Sequence, residues 1–69
     1  MTQAAAFKVG DRVLVTYETN LGSPRLFLKL TEAPGIVLDY LPAVGVFQVY
    51  IPGLEFALHF YQKDLKAAP

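Results

Sequence analysis

The chain has 69 residues, no cysteine and one histidine, and its six basic and six acidic side chains leave no net charge. That length bounds the fold to a single domain, and the composition excludes a disulfide framework, a thiolate metal site and a structural zinc site. The charge pattern argues against nucleic-acid binding: phosphate neutralisation supplies most of such affinity, whereas Lys8, Arg12, Arg25, Lys29, Lys63 and Lys66 are spread along the chain and interleaved with acids.

Residues 1–6 read as a flexible N-terminal tail, without the basic start and apolar run of a signal peptide. No apolar run reaches about 18 residues without a charge or proline, so no membrane helix and a cytoplasmic location are expected. Residues 7–69 read as one domain. It opens on Phe7-Lys8-Val9-Gly10-Asp11, a tight turn in which Gly permits the bend and Asp accepts from nearby backbone amides. A first strand follows from Arg12 to Glu18, with Val13, Val15 and Tyr17 on one face and Leu14 and Thr16 on the other. Thr19 to Pro24 is a turn cluster. Arg25 to Thr31 alternates Leu26, Leu28 and Leu30 against Arg25, Phe27 and Lys29, which reads as a barrel strand or as an ordered arm of a long first loop.

Glu32-Ala33-Pro34-Gly35 reads as a type II turn. Ile36 to Leu41 is then a strand, broken by Pro42-Ala43-Val44-Gly45. Val46 to Ile51 follows with Phe47, Val49 and Ile51 on one face. Pro52-Gly53 is a turn of the same chemistry as Pro34-Gly35. Leu54 to Tyr61 is the last long strand, with Leu54, Phe56, Leu58 and Phe60 on one face. Gln62 to Leu65 forms one short helical turn, and Lys66 to Ala68 a final short pairing. Strands at intervals of about 8–12 residues imply a sandwich or barrel. At this length a closed or nearly closed barrel is favoured, because closure removes sheet edges.

Three segments carry a resemblance: Phe7 to Val15, Pro34-Gly35-Ile36-Val37, and His59-Phe60-Tyr61-Gln62-Lys63-Asp64-Leu65. In that order they resemble the SH3-like small barrels. Similar members are the electron-transport accessory type: the nitrile hydratase β-subunit domain, the ferredoxin–thioredoxin reductase variable chain and the photosystem I accessory subunit. Gly22-Ser23-Pro24-Arg25-Leu26 resembles the nitrile hydratase β loop. The resemblance implies an all-β, SH3-like barrel of five strands with one short 3-10 turn before the last. It also implies a docking or stabilising role beside a larger protein. Type II dihydrofolate reductase is a similar barrel that becomes an enzyme by forming a tetrameric pore. Its pore motif would fall near Ala57-Leu58-His59-Phe60, which does not match it. KOW and Tudor-type barrels share the Gly-Asp opening, but the spacing from Gly10 to Gly35 exceeds a compact KOW motif.

Apolar residues make up 54% of the chain and charged residues 17%, against a usual charged fraction of about 25%. A small barrel has little interior, so part of this apolar surface must lie outside, where contiguous apolar area marks a contact site. If Phe56, Leu58 and Phe60 face inward, alternation turns His59 and Tyr61 outward, and pairing with the preceding strand brings Gln48 and Tyr50 onto the same face. Gln48, Tyr50, His59 and Tyr61 are therefore the candidate interaction patch, or else ordinary outward strand residues. Phe27, projecting beside Arg25 and Lys29, is either a second docking anchor or a plug of the barrel end. Asp39 reads as an outward or edge carboxylate rather than a buried one. Asp11 and Asp64 read as turn and cap residues. Ser23 has no nearby base, Glu18, Glu32 and Glu55 form no carboxylate pair, and His59 lacks an oriented partner, so no catalytic residue, metal ligand or cofactor is assigned. The sequence thus points to a non-enzymatic interaction or accessory module, self-associating or docking on a larger protein. The alternatives are a small oligomeric enzyme with an interface-built site, and a nucleic-acid-binding barrel.

Overall fold

The computed structural model describes residues 6–23 and 26–69, excepting the side chains of residues 21–26. Residues 1–5 of the expected 1–6 tail, the anchor residue Arg25 and the inward placement of Leu26 therefore lie outside the described residues, as do Pro24 and the side chain of Ser23. The fold is all-β: β1 (Arg12–Ser23), β2 (Leu26–Leu41), β3 (Val46–Ile51), β4 (Phe56–Tyr61), a 3-10 turn (Gln62–Asp64) and β5 (Leu65–Ala67). The strands form one antiparallel sheet in the order β4-β3-β2-β1-β5.

The opening turn forms as its residues dictate. Gly10 takes φ 92°, the left-handed conformation that a side chain resists. The Lys8 amide donates to Asp11 Oδ2 at 2.8 Å. The turn also docks on β2, because the Gly10 amide donates to the Val37 carbonyl at 2.7 Å and the Val37 amide to the Asp11 carbonyl at 3.0 Å.

Two sequence expectations are corrected along β1 and β2. The first strand does not end at Glu18 but runs on to Ser23 through most of the expected turn cluster. Pro34-Gly35 is not a turn. Both residues lie inside β2, which joins the two strands expected on either side of them. The change of direction occurs earlier, in a bulge: Val15 pairs with Ala33 and Tyr17 with Leu30, so Thr31 and Glu32 together oppose Thr16. Glu32 carries the bend with φ 47°, and its amide donates to Thr16 Oγ1 at 3.3 Å. Gly35 is required for space rather than for a turn. A Cβ there would meet Val49 Cγ1 at 2.5 Å and Ile51 Cδ1 at 3.1 Å, so side chains of the neighbouring strand β3 close over the β2 backbone at this position.

The turns at Pro42–Gly45 and Pro52–Glu55 share one geometry. In each, the amides of the last two turn residues donate to the carbonyl of the residue before the proline, Leu41 or Ile51. The left-handed residue is Gly45 in the first and Glu55, at φ 60°, in the second. Gly53 is not left-handed, so the expected type II turn is absent, and the last long strand starts at Phe56 rather than Leu54.

The core is wholly apolar among the described residues: Val13, Val15, Leu30, Val37, Phe47, Val49, Ile51, Phe60 and Leu65. Each such side chain taken fully from water contributes about 1.5–3 kcal/mol before entropy is counted. The sheet is rolled. In a flat sheet β1 and β4, three strand spacings apart, would lie about 14 Å from each other. Instead Tyr17 on β1 and Phe60 on β4 meet edge to face with centroids 5.2 Å apart. Phe7 packs edge to face on Phe47 at 5.6 Å, and Tyr40 lies against the same ring at 4.7 Å in a tilted arrangement. The roll does not become a closed barrel: β4 and β5 are the two ends of the hydrogen-bonded order. The 3-10 turn diverts the chain after Tyr61 and delivers β5 to β1 instead of pairing it with β4. Asp64 lies within that turn rather than at its cap.

Candidate functional site: the outer face of β2, β3 and β4

Alternation along β3 decides what this face presents. Phe47, Val49 and Ile51 are buried, so Val46, Gln48 and Tyr50 point to the opposite side of the sheet. The register then fixes their neighbours. On β4, Val46 pairs with Tyr61, Gln48 with His59 and Tyr50 with Ala57. On β2, Leu41 pairs with Val46, Asp39 with Gln48 and Ile36 with Tyr50. Directly paired residues share a face, so the outer surface has three rows: Leu41, Val46, Tyr61; Asp39, Gln48, His59; and Ile36, Tyr50, Ala57. Gln48, Tyr50, His59 and Tyr61 are thus adjacent.

Two apolar contributors from β2 were not legible in the sequence. The β2–β3 register shifts between Val37 and Asp39. That bulge leaves Leu38 43% exposed beside Asp39, and Ile36 is 38% exposed. The segment Ile36-Val37-Leu38-Asp39-Tyr40-Leu41 has no clean alternation, so its outward residues emerge only once the bulge is known. Tyr61 is 55% exposed, while Gln48 and Tyr50 are half-buried and His59 is exposed. Asp39 is exposed, and its Oδ1 accepts the Tyr40 amide at 2.8 Å.

Phe27 is 53% exposed, on the arm formed by the distal halves of β1 and β2, where it pairs with Asn20. The arm lies beyond the Glu32 bulge along the strand, so Phe27 is not in the register that builds the patch. Leu28 and Leu30 turn to the core, as the alternation predicted.

Two open clefts border these surfaces. One, of about 420 Å³, lies between the base of the arm and the 3-10 turn; Tyr17, Leu30 and Tyr61 line it together with Glu18, Lys29, Lys63 and Asp64. Its charges balance, so it favours neither sign of ligand. The other, of about 400 Å³, is lined by Arg12, Leu14, Pro34, Ile36, Pro52 and Pro69 among others and adjoins the patch at Ile36. One ion pair crosses the outside of the sheet: Lys66 on β5 reaches over β1 to Glu32, and the ammonium holds that carboxyl below its ordinary range through hydrogen bonding and charge. Among the described residues no three His, Cys, Asp or Glu side chains gather as a metal site, and no helix is long and apolar enough to cross a membrane. No family model, no curated protein and no solved structure matches the chain.

Proposed function

We propose that this protein is a non-enzymatic interaction or accessory module of the SH3-like kind, associating with itself or docking on a larger protein through the outer face of β2, β3 and β4. Phe27 on the arm is a second anchor in this reading. The observation that carries it is the outward apolar set Ile36, Leu38 and Tyr61, continuous through the register with Tyr50 and Val46. Large, stiff amphipathic side chains such as Tyr contribute contact area at low entropic cost. The polar middle row of Asp39, Gln48 and His59 supplies hydrogen-bonding groups that orient a partner.

The test is the double variant Tyr50→Ala, Tyr61→Ala. Both side chains are on the outer face, away from the buried core, so the variant keeps its thermal unfolding profile to within a few degrees. Its self-association, or its retention of a stoichiometric partner from the host lysate, falls at least about tenfold, since each lost aromatic anchor is worth on the order of 1–2 kcal/mol or more. A folded double variant that associates as tightly as the parent would remove this face from the proposal.

A further inference from the structure

The two ends of the sheet are defended very differently. β5 is three residues long and carries Lys66, held against Glu32. Short length and an edge lysine are the usual ways of blocking unwanted strand addition. β4 has neither. Its six residues, Phe-Ala-Leu-His-Phe-Tyr, contain no proline, lysine or carboxylate, and its pairing with β3 runs without a bulge from Val46–Tyr61 to Ile51–Phe56. Only β3 pairs with it among the described residues. Alternate amides and carbonyls of β4 consequently point away from the sheet with no strand to receive them.

From this we infer that β4 pairs edge to edge with β4 of a second copy, antiparallel about a two-fold axis, joining two five-stranded sheets into one. This rests on the interaction-module reading and names its partner. A second copy fits for three reasons. First, β4 carries no formal charge, so self-apposition opposes no like charges. Second, a continuous core face allows only registers that pair residues of like facing. The register centred on His59 meets this. It sets small Ala57 against Tyr61 of the second copy on the outer face and Leu58 against Phe60 on the inner one. Third, the two-fold brings both outer faces side by side, so the exposed Tyr61 gains cover and the patches merge into one isologous surface.

Because His59 faces its own copy, the test is a charge swap there. His59 is exposed, so His59→Glu and His59→Lys both leave the fold intact by circular dichroism. Sedimentation across a dilution series is expected to give a dimer for the parent. Each variant alone should dissociate at least tenfold more readily, and an equimolar mixture of the two should recover the dimer. Hydrogen exchange supplies a second readout: alternate β4 amides gain protection as concentration rises. A monomeric parent at millimolar concentration, variants that dimerise like the parent, a mixture that stays monomeric, or β4 amides indifferent to concentration would each overturn the inference. If the parent is monomeric but loses a heterologous partner on Tyr50→Ala, Tyr61→Ala, the pairing falls while the interaction-module reading stands.

Discussion

Gly35 is a position where packing leaves no room for a side chain. With Val49 Cγ1 at 2.5 Å from where its Cβ would be, the Val49 side chain lies against bare backbone. Gly35→Val crowds the Val49 and Ile51 side chains, and overpacking of this kind costs about 1–3 kcal/mol. The loss is expected in urea unfolding, and Val49→Ala in the same chain should recover part of it. Additive losses would mean the two positions are not in contact. Glu55 is the converse case. It stands in the left-handed position that Gly45 fills in the matching turn. A left-handed side chain costs about 1–2 kcal/mol, partly offset by the entropy a glycine loses on folding. Glu55→Gly is therefore expected to stabilise the fold by about 0.5–1 kcal/mol, read as a rise in Tm. A fall in Tm would show that the Glu55 side chain contributes more than its backbone costs.

The long β2 strand owes its continuity to packing rather than to local sequence. Pro34-Gly35 has the chemistry of a turn, yet Pro34 sits in the strand and Gly35 answers a packing demand from β3, a tertiary requirement invisible in local sequence. β3 was legible to the residue, because its alternation is strict and both its ends are marked by Pro turns. The arm was readable as alternating Leu28 and Leu30, but its bend at Glu32 was not, since Glu has no preference for the left-handed region. The Glu32 side chain pairs with Lys66. Its folded-state pKa lies below its ordinary value of 4.5. A lowered carboxylate pKa means the pair stabilises the fold above the ordinary value, and that contribution is lost as pH falls through the lowered one. Lys66→Met should return Glu32 to titrating near 4.5 when followed by carboxyl NMR. An unchanged titration would show that the ammonium is not the cause.

Across the molecule, the surplus of apolar residues was the signal that survived from composition to structure. Nine apolar side chains fill the core among the described residues, yet Ile36, Leu38, Phe27, Phe56 and Tyr61 remain outside. Four members of the outer patch, Gln48, Tyr50, His59 and Tyr61, follow from alternation and hairpin pairing alone. The β2 contribution does not, because it depends on a bulge and on the rolling of the sheet. Rolling also explains why the sheet could be expected to close and does not. The contact of Tyr17 with Phe60 draws β1 toward β4, while the 3-10 turn carries β5 to the far side of β1 and leaves β4 and β5 unpaired with each other. The edge left at β4 runs beside the patch, so face and edge form one surface.

The direct measurement is a map of the amide NMR signals that move when the protein associates, with itself on concentration or with a partner on titration. An interaction surface on β2, β3 and β4 requires the largest shifts at Ile36, Leu38, Gln48, Tyr50, Ala57, His59 and Tyr61, with small ones at Leu14 and Lys66 on the opposite end of the sheet. Shifts concentrated instead on Glu18, Lys29 and Lys63 around the arm cleft, or on β5, with the outer face silent, would contradict it.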